Sequence, residues 1–306
     1  MSRIYDALQR ADIERQAAQG KDAAENAEPY FVSGSEDLPP IEAGVNLENT
    51  VLHSWKPSLV SLPTLGDRGE GIEQFRGLRS QIYQFRDQNP LKTILVSSGM
   101  PAEGKTFVAA NLAVSLARNR NNTVLLIDAD LRRPALHAIL GAPSAPGLAE
   151  YLAGAAEVSD ILQRNENPRV VEAGIMHAIP DLAFIPSGAG GDNSSELVAN
   201  HRIEELVAAL SPHFDWILID SPPVLAFADA IDLARAADAV LLVARGATTP
   251  FDVAQRAQAA FANSRILGFV LNAVKDAPRR TSYYYDYDKQ EAGSGSPKRK
   301  DKRRQG

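Results

Sequence analysis

The chain has 306 residues, enough for one α/β domain with tails, and its formal charge of −6 argues against a whole-protein attraction to nucleic acid. It contains no cysteine, which excludes disulfides, thiolate metal sites and cysteine nucleophiles and suits the cytosol. No apolar run approaches the ~18 residues of a membrane helix, so neither a membrane span nor a signal peptide is expected.

Residues Ser2 to Gln16 read as a short amphipathic helix. Ser2 can cap it, and Ile4, Leu8 and Ala11 share one face. Spacing favours a helix docked loosely on its own domain over a partner-binding element. Residues 17–68 are acidic and rich in Gly, Pro, Ser, Asn and Glu, and are expected to form a mostly disordered linker. A helix is expected from Gly71 to Asp87. It places Glu73, Arg76 and Arg79 on one stripe, where spacing alone suggests only local ion pairing on a solvated face.

An apolar strand from Thr93 to Val96 then leads into Gly99, Met100, Pro101, Ala102, Glu103, Gly104, Lys105 and Thr106, which fit G-x-x-x-x-G-K-[ST]. A helical pattern from Thr106 to Ala117, beginning with Phe107, follows. Strand, glycine-rich turn and helix is the setting a phosphate-binding loop needs. Backbone N–H groups curl around a phosphate chain there, and the helix N-terminus adds partial positive charge. Lys105 is expected to reach the β and γ phosphates of ATP, and Thr106 to place its hydroxyl on Mg²⁺.

The next apolar strand, Val124 to Ile127, ends in Asp128-Ala129-Asp130. In an extended backbone the i and i+2 carboxylates point the same way, and beside a phosphate chain they call for a cation such as Mg²⁺. Arg132, Arg133 and Pro134 follow. Residues 136–169 read as helices broken at Gly141, Pro146-Gly147 and Gly154. A strand is expected over Leu182 to Ile185 and a helix over Glu196 to Leu210. Trp216 to Ile219 is a buried strand ending in Asp220, placed to hold Mg²⁺ as a Walker-B carboxylate does. Pro222 and Pro223 stiffen the turn after it. Two more apolar strands cover Ala239 to Ala244 and Leu267 to Leu271, and Asn272 after the last is a candidate for the adenine edge. Strands alternating with helices give a doubly wound, mostly parallel α/β sheet with helices on both faces. Its ligand belongs at the carboxyl ends of the strands. The domain is expected to span residues 69–275.

The tail, residues 276–306, carries Tyr283, Tyr284, Tyr285 and Tyr287 in a polar setting and ends in a basic run from Lys298 to Arg304. Such a run is most often a solvated tail; weak attraction to anionic lipid or acidic protein is the sharper reading.

With these residues in place, the chain resembles the bacterial tyrosine kinases (BY-kinases) of capsule and exopolysaccharide systems. The resemblance covers Glu73 to Tyr287 and the opening Met1 to Leu8. It is carried by the P-loop with Lys105 and Thr106, by D-x-D-x-R at Asp128, Asp130 and Arg132, and by D-x-P-P at Asp220, Pro222 and Pro223. R-R-P-x-L-H stands at Arg132 to His137, and G-L-x-E-Y-L-x-G at Gly147 to Gly154. Glu73, Arg76 and Arg79 match the family's E-x-x-R-x-x-R oligomerisation motif, which replaces the solvated-face reading. The four tail tyrosines match its autophosphorylation cluster. Two residues depart from the pattern: Phe107 where a second hydroxyl is usual, and Ala102 where glycine is usual. Met100 stands where MinD and ParA ATPases carry an extra lysine, which argues against that branch.

The resemblance implies a P-loop fold and ATP with Mg²⁺ as cofactors. It implies phosphoryl transfer to tyrosine in trans, with Lys105, Asp128, Asp130 and Asp220 as the catalytic set and Asp128 as metal contact or general base. It also implies a ring homo-oligomer, a separate transmembrane activator or polysaccharide co-polymerase, and a cytoplasmic protein held at the inner face of the membrane through that partner. A MinD/ParA-like ATPase without kinase activity and a nucleotide-binding scaffold of low activity are the alternatives.

Overall fold

The computed structural model describes residues 50–66, 69–119, 122–166, 169–172, 175–178, 181–190 and 194–274. The expected N-terminal helix, most of the expected linker, the tyrosine cluster and the basic tail lie outside the described residues.

The described chain opens with strand β1 (Val51–His53) and helix α1 (Glu70–Gln88). Strand β2 (Thr93–Ser98), helix α2 (Lys105–Ala117) and strand β3 (Val124–Asp128) follow. Three short helices, α3 (Leu136–Leu140), α4 (Leu148–Leu152) and α5 (Val158–Ile161), lead to strand β4 (Gln163–Asn165). A separate antiparallel hairpin comprises β5 (Arg169–Glu172) and β6 (Ile175–Ala178). The second half contains β7 (Leu182–Ile185), α6 (Ser194–Ala199), α7 (Arg202–Leu210), β8 (Trp216–Asp220) and α8 (Asp229–Leu233). It closes with β9 (Ala239–Arg245), α9 (Phe251–Ala260) and β10 (Ile266–Asn272).

Eight strands form one sheet in the order β1-β4-β7-β3-β8-β2-β9-β10, parallel throughout except between β4 and β7. The central strands are apolar without alternation because both faces are covered. Leu95, Leu125, Ile127, Ile217, Ile219, Val240 and Leu242 pack with residues of α4 to α9 on one side. Their chain neighbours Ile94, Val96, Leu126, Leu218 and Leu241 pack with α1, α2 and α3 on the other. Full burial of each such side chain contributes about 1.5–3 kcal/mol. Helix α2 is buried from Val108 to Ala117, and its alanines at 109, 110 and 113 let the backbone lie close to its neighbours.

Three sequence expectations are corrected here. The stretch from Thr50 to Gly66, assigned to a linker, is built into the domain: β1 pairs with β4, and Trp55, Leu62 and Leu65 are buried. Trp55 meets Phe184 edge-on at 6.1 Å, and its backbone N–H donates to Asn165 Oδ1 at 3.0 Å. The helical region read as far as Arg169 ends at Ile161 and turns into β4. The helix expected over Glu196 to Leu210 is two helices, because His201 takes a left-handed conformation (φ 61°) between them. Among the described residues no helix is long and apolar enough to cross a membrane.

Candidate active site

The carboxyl ends of β2, β3 and β8 lie side by side. Val96 on β2 is in register with Asp220 on β8, and Asp220 is in register with Asp128 on β3. The phosphate loop leaves β2 at this edge. Gly104 adopts φ 93°, and a Cβ there would stand 1.9 Å from Asn272 Nδ2, so only glycine fits. Ala102, where the family pattern has glycine, is also left-handed, at φ 64°.

Lys105, at the start of α2, is nearly buried. Its Nζ lies 2.7 Å from Asp130 Oδ2, 3.9 Å from Asp220 Oδ2 and 3.3 Å from Thr106 Oγ1. Burial works against its charge, but Asp220 and Asp130 outweigh that and raise its pKa above the ordinary lysine value. Asp130 also accepts from the Arg133 N–H at 3.1 Å, which fixes the turn after β3.

Asp128 is fully buried. Its Oδ2 accepts from the N–H groups of Ala135 (3.2 Å) and Leu136 (3.0 Å), and its Oδ1 from Asp130 N–H (3.3 Å). It therefore caps α3 as well as facing the site. Burial, and next the charge of Asp220, push its pKa up to about 7, against the pull of the Leu136 N–H. Asp220 is 1% exposed, and neither of its carboxylate oxygens has a hydrogen-bond partner in the structure. Burial raises its pKa to about 6, opposed by Lys105.

A buried carboxylate with two orphaned oxygens, beside a lysine and a threonine hydroxyl, fits a divalent cation. Among the described residues no three carboxylates or imidazoles converge into a cage.

The remaining expected site residues fall in different places. The Phe107 ring packs on Phe75 of α1 at 6.1 Å, leaving its backbone N–H, in the first turn of α2, for a ligand. Met100, Pro101 and Ala102 are exposed on the loop. Arg132 donates from Nε to Asp229 Oδ2 (3.1 Å) and from Nη2 to Ser195 Oγ (2.5 Å), and lies over the Phe227 ring. Sequence reasoning missed Ser195 and Asp229, and no motif marks either. Asn272 lies at the phosphate loop, where its Nδ2 donates to the Glu103 carbonyl at 3.0 Å. Glu73 and Arg76 form an exposed pair at 2.5 Å, while Arg79 Nη1 donates to the Ser115 carbonyl of α2.

This fold and this site define a P-loop nucleotide-binding α/β protein. A family described as an AAA domain (AAA_31) matches residues 91–250. The chain is 33% identical over 218 residues to tyrosine-protein kinase Wzc of Salmonella typhimurium, covering 71% of this chain and 28% of Wzc. It is 31% identical over 215 residues to tyrosine-protein kinase YwqD of Bacillus subtilis, covering 70% of this chain and 85% of YwqD. The kinase domain of Escherichia coli tyrosine kinase ETK superposes with a TM-score of 0.63 at 27% identity, over 74% of this chain and 84% of that domain. The chain thus spans little more than a quarter of Wzc but most of YwqD. It belongs to the bacterial tyrosine-protein kinase family, within the AAA domain group.

Proposed function

We propose that the chain is an ATP-dependent protein tyrosine kinase whose substrates include Tyr283, Tyr284, Tyr285 and Tyr287 of a neighbouring copy. The observation that carries this reading is the meeting of Lys105, Asp128, Asp130 and Asp220 at one edge of the sheet beside a phosphate loop. The names of its relatives supply the class of acceptor.

Lys105 leaves Asp130 to neutralise the γ phosphate, with the loop amides around it. Thr106 and Asp220 would hold Mg²⁺, which would supply further charge neutralisation. Asp128 takes the phenolic proton. A carboxylate of pKa about 7 is matched to base catalysis near neutral pH, whereas a phenol of pKa ~10 would otherwise stay protonated. The phenolic oxygen bonds to the γ phosphorus, the bond from phosphorus to the β–γ bridging oxygen breaks, and ADP leaves. Asp130 holds the lysine until nucleotide binds and fixes the turn that follows Asp128.

The tail serves as substrate and switch. From Lys275 onward ten Lys and Arg face five Asp and Glu, a formal +5. Phosphate on four tyrosines brings this to about −1 to −3, so an acidic site that admits the neutral phenols repels the product. Glu73, Arg76 and Arg79 join copies into a ring that phosphorylation opens. A separate membrane protein activates the kinase and holds it at the inner face of the membrane, and the system controls the length or export of an exopolysaccharide.

The test is mass spectrometry after incubation with Mg·ATP, beside Lys105→Met, alone and with cytoplasmic segments of candidate membrane partners. Phosphate on the four tyrosines, absent from the variant, is the expected result. ATP hydrolysis without phosphotyrosine under every condition would replace the kinase reading with an ATPase.

A further inference from the structure

On the side of the phosphate loop away from the carboxylates, three side chains reach it from the ends of β9 and β10. Asn272 Nδ2 donates to the Glu103 carbonyl at 3.0 Å, and Arg245 Nη1 to the Ala102 carbonyl at 3.3 Å. The Thr249 hydroxyl donates to Glu103 Oε1. Thr249 is itself fixed, because its Oγ1 accepts from Arg245 N–H at 2.9 Å. The other Glu103 oxygen, Oε2, accepts from Met100 N–H at 2.7 Å. Glu103 is only 4% exposed, and among the described residues it has no lysine or arginine partner.

The loop needs such support. A non-glycine residue in the left-handed region costs about 1–2 kcal/mol and persists where its surroundings over-determine it. Ala102 is such a residue, and the carbonyls of Ala102 and Glu103 are the ones held from β9 and β10. The bonds to Glu103 have a second effect. They fix its carboxylate on Met100 and Thr249, whereas a freed carboxylate on this loop would oppose a polyphosphate through like charge.

Asn272 is held at both ends of its amide. Its Oδ1 accepts from Ala273 N–H at 2.9 Å while its Nδ2 holds Glu103, so the orientation of the amide is set by these two backbone partners, with one N–H and one lone pair left over. Its backbone carbonyl accepts from Gly246 N–H at 2.7 Å, tying β10 to the turn that carries Thr249.

We propose that Asn272, Thr249 and Arg245 are positioning residues that brace the phosphate loop through Glu103 and Ala102, and that Asn272 acts through the loop. The proposal rests on the nucleotide-binding half of the function above and not on the kinase half. Bracing acts on the part of the site that meets phosphate, so its loss weakens every polyphosphate ligand alike, with or without a base.

The experiment is calorimetric titration of the full chain with Mg·ATP and with magnesium tripolyphosphate, for wild type, Lys105→Met, Asn272→Ala, Thr249→Val and Thr249→Ser. Amide exchange at Met100 is followed in the same proteins without nucleotide. Asn272→Ala and Thr249→Val are expected to weaken both ligands by the same factor, roughly three- to tenfold for one hydrogen bond. Met100 exchange should quicken in Thr249→Val, and Thr249→Ser should restore both readouts. Loss confined to ATP in Asn272→Ala would make Asn272 a base reader and overturn the proposal. Unchanged affinities with unchanged Met100 exchange would also overturn it. Wild type that binds neither ligand, like Lys105→Met, would instead sink the nucleotide-binding reading itself, and the brace with it.

Discussion

The two flanks of the phosphate loop are built from opposite chemistry. Toward β8 and β3 the neighbours are three buried acids, Asp220, Asp128 and Asp130, with one lysine among them. Toward β9 and β10 they are an amide, a hydroxyl and a guanidinium, each bonded to the loop's own backbone or to Glu103. The acidic flank holds charge where burial penalises it, and the raised pKa values of Asp128 and Asp220 measure that penalty. The other flank holds shape. Charge kept at a cost is a sign of chemistry, whereas well-satisfied contacts to a strained turn are a sign of preorganisation. Substitutions on the first flank should therefore act on the rate and on the pH profile. Substitutions on the second should act on affinity.

The largest separation between the flanks is expected from Asp128→Asn. Asparagine keeps an oxygen for the Ala135 and Leu136 amides, so α3 stays capped, but it is a far weaker base. Transfer to tyrosine in a single turnover should fall about 10²–10⁴-fold, while the affinity for Mg·ATP changes little. Wild-type transfer in this variant would reduce Asp128 to a cap and leave the acidic flank without a base.

Next in size is the pH dependence of stability, measured with chelator present. Burial lifts the Asp220 pKa to about 6 in the folded protein, from an ordinary carboxylate value of 3.8. The folded state thus holds the proton more tightly, so stability falls as pH rises from about 4, through the Asp128 midpoint at about 7, and levels off about one pH unit above it. Asp220→Asn removes the buried charge. Its melting temperature should match wild type near pH 4 and exceed it by a few degrees at pH 8. Equal melting temperatures at both pH values would mean that Asp220 is not held at a cost.

The same contrast explains what could be read from the sequence. The acidic flank was legible because Asp128 and Asp220 each end an apolar strand, with Asp130 two residues beyond the first, and a fully buried parallel strand is visible as an unbroken apolar run. The P-loop, Asp128 and Asp220 announce themselves by residue type at fixed spacing. The bracing flank has no such signature. Asn272 acts on a loop carbonyl 169 positions away and Thr249 on a side chain 146 positions away, and carbonyl acceptors impose no residue type. Asn272 was visible as a polar residue ending a strand, which suggested a ligand contact and not a backbone one. The first edge of the sheet was hidden for a different reason. β1 is three residues long in a stretch rich in turn formers, and only the burial of Trp55, Leu62 and Leu65 reveals that it belongs to the core.

The smallest effect is also the most selective test of the contrast. In wild type, Ala102→Gly removes left-handed strain of about 1–2 kcal/mol but adds freedom to the unfolded chain worth about 0.4–1 kcal/mol. Its net effect on melting temperature and on ATP affinity should be small, because the brace already holds Ala102 in place. Once the brace is cut by Asn272→Ala, the alanine is free to relax out of the left-handed region and the loop loses its shape. Glycine at 102 re-enters that region without penalty, so Ala102→Gly should recover part of the affinity lost in Asn272→Ala while adding little to wild type. If the two substitutions act additively on the dissociation constant, the strain at Ala102 and the bond from Asn272 are independent, and the second flank does not hold shape in the way argued here.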